Sequence, residues 1–165
     1  MSLLDRESVR RVARALHEGN AAGEVQELSE TARSAEEAAQ ALGVAQGAIV
    51  KSLVFAIGER FVLALVAGDR QCREDQLPRA LFLKGKVARP GADHVRAVTG
   101  FSIGGVAPVG LVHALPTVID ASLKRFPALY AAAGHPHCIF PTDMAELKRL
   151  TGGIVSYAIA AESGA

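Results

Sequence analysis

The stretch "GAIVKSLVFAIGERFVLALVAGD", Gly47 to Asp69, sets Lys51 inside a run that otherwise reads as a buried hairpin. Alternate side chains of a strand face opposite ways, so Ile49, Lys51, Leu53, Phe55 and Ile57 share one face, and Val50, Ser52, Val54 and Ala56 the other. Both faces are mostly apolar. An unpaired ammonium is costly to bury, which leaves two readings of Lys51. Either its stem lies on the core and its charge reaches water, or it lines a solvated cleft that receives an anionic or carbonyl-rich ligand.

A second candidate is "GGVAPVG", Gly104 to Gly110. Glycines can take positive φ and expose backbone N–H groups at close range, the material of an anion or oxyanion cradle. The same composition also makes a plain tight turn. The loop lacks the G-K-[ST] end of a Walker motif and the dinucleotide G-x-G-x-x-G. In "GHPHCIF" the residues His135, His137 and Cys138 crowd together, but no second cluster supplies further ligands, so neither a metal nor any cofactor is expected. His94 and His113 stand alone, and no G-x-S-x-G elbow or serine, histidine and aspartate pattern signals a covalent nucleophile.

The elements that must position these residues follow from periodicity and punctuation. Val9, Val12 and Leu16 recur at helical spacing, with Gly19 placed to end the helix. Ser34 and Glu37 form a capping box ahead of Ala38, Ala41 and Leu42, and Gly43 stops that helix. "GEVQEL" between them is a weak strand. The opening stretch predicts strands over 48–57 and 61–67 joined at "GER". "REDQLPRALFLKG" has helical composition with its start near Pro78, and "ADHVRAVTG" predicts a short helix with Val95 and Val98 inward. "FSIGGVAPVG" reads as a strand end running into a loop, and "LPTVIDASL" as a strand leading to a turn. "PTDMAELKRL" predicts a helix with Thr142 as N-cap, and "GGIVSYAIA" a closing strand. Strands and helices mix without regular β-α-β alternation, repeat or linker, so residues 1–165 are expected to form a single α+β domain.

With 165 residues, half of them hydrophobic and 21% charged, the chain can bury one substantial core. A net charge of +1 argues against broad non-specific attachment to a nucleic-acid backbone, yet permits a small basic patch beside a pocket. No stretch has the length of a membrane span or the apolar centre of a signal peptide, so a cytoplasmic protein is expected. Cys72 and Cys138 suggest no disulfide framework and are expected as reduced thiols.

"IVKSLVF", "TGFSIGGVAPVG", "LPTVID" and "LKRLTGG", in this order and at these separations, together resemble the YbaK/prolyl-tRNA synthetase-associated domain family. The likeness runs from about residue 5 to 160. It implies a compact domain with a mixed, partly barrel-like sheet flanked by helices, acting as a free-standing deacylase that hydrolyses mischarged aminoacyl-tRNA. By the same resemblance Lys51 is the principal functional side chain, while Gly104, Gly105 and Pro108 of the G-x-x-x-P loop line the site for the ester and the terminal adenosine. Asp120 matches a position near that pocket. His135 sits about where alanine-specific members carry a histidine that helps hold substrate, and Ser52 stands where other members have threonine or asparagine. No aromatic residue stands around Leu28, where certain cysteine-specific members have one. The implied partners are the acceptor end of a mischarged tRNA and, as a candidate associate, prolyl-tRNA synthetase. A non-catalytic module that binds an acceptor end or a small aminoacyl ligand is the alternative.

Overall fold

The computed structural model describes residues 2–30 and 32–162. Helix α1 (Glu7–Glu18) buries Val9, Val12 and Leu16 and ends at Gly19. A short strand β1 (Gln26–Glu27) precedes helix α2 (Ala35–Leu42), where Ser34 accepts a hydrogen bond from the Glu37 amide and Gly43 closes the helix at φ +69°. The hairpin follows as β2 (Ile49–Ile57) and β3 (Arg60–Ala67), then β4 (Arg70–Cys72). Helix α3 (Leu77–Leu81) has Pro78 in its first turn, where the missing N–H costs nothing. Next come β5 (Val87–Ala88), α4 (Ala92–Thr99), β6 (Thr117–Asp120), β7 (Leu129–Ala132) and β8 (Cys138–Thr142). Helix α5 (Met144–Thr151), β9 (Ile154–Ser156) and β10 (Ala160–Glu162) complete the order.

The main sheet runs β1-β8-β7-β2-β3-β6-β9, with β5 also on β2, while β4 and β10 make a separate ribbon. It is mixed: β2 pairs antiparallel with β3 and β5 but parallel with β7, and β3, β6 and β9 run parallel to one another. The hairpin separates two cores. Val50 of β2 and Leu63, Leu65 and Ala67 of β3 pack with α1, Phe101, Val106 and Phe140. On the other face Phe55, Ile57, Val62, Ala64 and Val66 pack with Leu77, Leu81 and Ile159. This is an α+β domain with helices against a mixed sheet.

Several elements differ from the sequence reading. The N-cap of α5 is Asp143, whose carboxylate accepts from the Glu146 amide at 2.8 Å. Thr142 ends β8 instead, and its hydroxyl donates to Glu146 Oε1 at 2.7 Å. Carboxylate and hydroxyl thus share one glutamate turn. The closing strand breaks into β9 and β10, which join different sheets, and "FSI" forms no strand. Strands β7 and β8 were not expected from "PALYAAA" and "CIFPT", whose alanines and prolines are poor strand formers. Their register, Leu129↔Thr142 to Ala132↔Ile139, is imposed by pairing within the sheet.

Candidate active site

Strand β2 carries β7 and β5 along the same edge, β7 at Ile49 and Val50 and β5 at Ala56 and Ile57. Residues 51–55 between them have no strand partner on that edge among the described residues. In the antiparallel hairpin alternate residues turn their backbone groups away from the partner strand. Ile49 offers its carbonyl to Gly68 on the β3 side, whereas Gly58 donates to Lys86 on the β5 side. By this alternation the N–H and C=O groups of Ser52 and Val54 face the gap.

A cleft of about 480 Å³ opens there, within the about 300–1,000 Å³ usual for small-ligand sites. Its walls come from β2 residues 49–55, from Gly104 and Val106 of the glycine loop, from Tyr130 and Ala132 of β7, and from the start of α2. Arg33 and Arg89, both exposed, stand at it as well.

Lys51 is half-buried, and its Nζ donates to the Arg70 carbonyl on β4. Burial pushes its pKa below the usual lysine value, against the opposing pull of Cys72, Asp69 and Asp120. Cys72 beside it is pushed up to about 11, mainly by burial. It is a neutral thiol at neutral pH. Asp69 is held below the usual carboxylate range by Arg125, which it meets at 2.7 Å.

Ser52 projects to the opposite face of the strand from Lys51. Its Oγ is buried with no hydrogen-bond partner among the described residues. A buried hydroxyl left unpaired is unusual enough to require an explanation, and a ligand in the cleft would supply one.

The glycine loop contributes by close approach. Gly104 has φ +95°, a left-handed conformation that disfavours other residues. A Cβ on Gly105 would lie 3.0 Å from the His135 N and Cα, so this glycine lets two loops touch through their backbones. Helix α1 fastens the assembly. Arg11 donates through Nε to the Gly110 carbonyl at 3.1 Å and through Nη2 to that of Gly100 at 2.9 Å, tying both ends of the loop. Ser8 Oγ donates to the Gly134 carbonyl at 2.9 Å.

The structure thus brings Lys51, Ser52 and Gly104 to one opening, although Lys51 and the glycine loop belong to opposite faces of β2. Gly105 lies behind the loop against His135. Pro108 is elsewhere, lining a second cavity of about 350 Å³ with Gly110, Leu115 and Arg149. Asp120 is buried and does not line the cleft. Its carboxylate caps the following turn, accepting from the Ser122 amide at 2.8 Å and hydroxyl at 2.7 Å, and also from the Ala67 amide at 3.1 Å. It bolts β6 to β3. His135 also lies outside the cleft lining, where its neighbour Pro136 stands instead. Its Nδ1 accepts from the His137 amide at 3.1 Å, and burial, aided by Arg6 and His137, lowers its pKa. His135 and His137 stack edge to face at 5.4 Å, while Cys138 is buried in the core. No three potential metal ligands converge among the described residues.

Sequence reasoning missed Arg33, Arg89, Tyr130 and Arg11. The first three reach the cleft only through pairings between distant segments, and no local pattern marks them. Arg11 could have been suspected as a cation near the inward stripe of the first helix.

The family model of the aminoacyl-tRNA editing domain matches residues 29–150. A crystal structure provisionally assigned as a trans-editing enzyme for prolyl tRNA synthetase superposes with a TM-score of 0.85, at 39% identity over 92% of this chain and 96% of the other. EbsC of Enterococcus faecalis, provisionally named a Cys-tRNA(Pro)/Cys-tRNA(Cys) deacylase, is 32% identical over 64% of this chain and 65% of its own length. The proline–tRNA ligase of Pelotomaculum thermopropionicum is 41% identical over 48% of this chain, a match that spans only 14% of the ligase. With the lysine-bearing strand and the glycine loop facing one cleft, these matches establish that the chain belongs to the aminoacyl-tRNA editing domain family.

Proposed function

We propose that this chain hydrolyses the ester of mischarged aminoacyl-tRNA, removing a small amino acid such as alanine, serine, threonine or cysteine, and that it acts in trans in the cytoplasm. The observation that carries the reading is the single cleft that Lys51, Gly104 and Val106 all line.

An aminoacyl ester is already activated, so its hydrolysis needs placement and a stabilised oxyanion more than a protein nucleophile. Water adds to the ester carbonyl carbon, and the carbonyl oxygen takes up negative charge. The bond to the ribose oxygen then breaks, that oxygen takes a proton, and the amino acid leaves. Lys51 supplies a fixed positive charge to the terminal phosphate or to the oxyanion, and the amides of the glycine loop supply neutral donors. The hydroxyl of Ser52 and the carbonyls of Ser52 and Val54 accept from the α-ammonium of the substrate.

Gly105, Pro108, His135 and Asp120 act as positioning residues. Gly105 and His135 hold the two loops in contact, Pro108 stiffens the loop end, and Asp120 fixes the strands beneath Lys51. Prolyl-tRNA synthetase is the proposed associate, supported by the likeness to a segment of the ligase.

The test is deacylation of a panel of tRNAs charged with correct and incorrect small amino acids. Turnover of a mismatched charge and sparing of the matched one supports the reading. Binding without cleavage of any charge would replace it with the non-catalytic module.

A further inference from the structure

Phe82 breaks two ordinary rules at once. It is 85% exposed, more than any other large hydrophobic residue among those described. It also takes φ +57°, the left-handed conformation that glycine fills at helix ends. The cause is a Schellman close to α3: the Phe82 amide donates to the Arg79 carbonyl and the Leu83 amide to the Pro78 carbonyl, after which Leu83 packs inward. A glycine at 82 would make the same turn without strain. A bulky aromatic held in a disfavoured conformation with its ring in water gains nothing for the fold, and such outliers point toward function.

Its surroundings identify the partner's chemistry. Residues 79–89, "RALFLKGKVAR", carry Arg79, Lys84, Lys86 and Arg89 and no carboxylate, in a chain of net charge +1. All four cations are exposed. Of the carboxylates that flank the segment, Glu74 pairs with Arg89 at 2.8 Å, Asp75 accepts from the Gln76 side chain at 3.2 Å, and Glu59 is next to the Gly58 that packs on Gly85. The segment leads through β5 directly to the cleft, where Arg89 stands with its guanidinium 5.7 Å from the centre of the Phe55 ring. An exposed aromatic ring beside a row of cations is how proteins hold single-stranded nucleic acid, bases stacking on the ring while phosphates meet the charges.

We propose that Phe82, with Lys84 and Lys86, forms a stacking platform for an unpaired nucleotide of the RNA 3′ end as it leaves the cleft. The proposal rests on the reading of the cleft as the site for a charged tRNA end, and it adds where the rest of that end lies. The platform explains how a chain with little net charge can hold an RNA: four of its 18 lysines and arginines fall within the segment that leads to the cleft.

The experiment uses the full chain and two 5′-fluorescent RNA hairpins, one an acceptor stem with its unpaired 3′ nucleotides, the other the same stem with a blunt end. Fluorescence anisotropy reads Kd, and thermal melting is followed in parallel. Phe82→Gly is expected to weaken binding of the tailed hairpin about tenfold, with Tm unchanged or raised because the turn is relieved. Phe82→Tyr is expected to retain wild-type binding, and Phe82→Leu to lose it. The blunt hairpin is expected to bind wild type and Phe82→Gly equally. Undiminished binding of the tailed hairpin by Phe82→Gly, or an equal loss for both hairpins, would overturn the proposal. So would a loss seen only in Lys84→Ala and Lys86→Ala, which indicates plain charge contact. Because the anisotropy arms read binding alone, the platform would survive a finding that the protein cleaves no charged tRNA. Normal cleavage in a Phe82→Gly variant with unchanged KM would sink the platform alone.

Discussion

Lys51 has a charge that the fold disfavours and, on the proposed reading, the reaction needs. Burial holds its pKa below the ordinary lysine value of 10.5. Its charged form is therefore less welcome in the folded than in the unfolded chain. The stability penalty is fully present below the lowered pKa and disappears as pH rises from that value toward 10.5. Lys51→Met keeps the stem and removes the charge, so its Tm at neutral pH should equal or exceed that of wild type. Catalysis should move the opposite way. After subtraction of spontaneous ester hydrolysis, the wild-type rate should fall on the alkaline side at a pH below 10.5, and Lys51→Met should lack that limb. Asp120 behaves differently. Asp120→Ala strands the Ala67 and Ser122 donors in the interior, at a cost of about 3 kcal/mol, measurable by urea denaturation. An undisturbed midpoint would mean that this carboxylate holds nothing together. Alternation alone made Lys51 conspicuous in the sequence, whereas the work of Asp120 depends on an amide from another strand and was legible only in three dimensions.

Among the elements, the loop from Gly100 to Gly110 is placed by helix α1 and by the turn at Gly134 and His135. Arg11→Met should release both ends of the loop, since two carbonyls lose a charged donor. The expected result is faster amide hydrogen exchange across residues 100–110 and a fall in kcat of about tenfold, equivalent to about 1.4 kcal/mol. Gly105→Ala should act by another route. Its Cβ would meet the His135 backbone at 3.0 Å and push the loops apart. Gly104→Ala meets only Pro136, at 3.7 Å, but must adopt φ +95°, so both variants should lose activity. A crystal structure should show displacement of the 134–136 turn in the first alone. The hairpin, the capping box at Ser34 and the start of α3 at Pro78 were all readable because each depends on neighbours within a few residues. Strands β7 and β8 were not, for their alanines and prolines take extended form only because β2 and β1 offer edges to pair with. The cleft inherits that limit, because the gap between β7 and β5 exists only in the assembled sheet.

At the scale of the whole molecule, charge is nearly balanced but unevenly spread. Lys51, Arg33 and Arg89 stand at the cleft, and Arg79, Lys84 and Lys86 extend the positive track beyond it. Neutralising a few phosphates predicts a modest salt response. Log kcat/KM plotted against log salt concentration should fall with a slope of about −2 to −4, well short of that of a broad nucleic-acid binder. No helix among the described residues is long and apolar enough to cross a membrane. The overall α+β class was legible from the interspersed elements, and four spaced motifs made the family legible as well. The departure of Pro108 into the second cavity was not, because a loop's spacing does not say which way each residue turns. On the proposed reading one lysine and one glycine loop serve a single ester-cleaving cleft. Single-turnover deacylation of mischarged tRNA by wild type and Lys51→Met, with Tm measured on the same samples, tests it most directly. The expected result is a rate lower by on the order of 10²-fold or more in the variant, at equal or higher Tm. Equal rates across the whole panel of charges would contradict it.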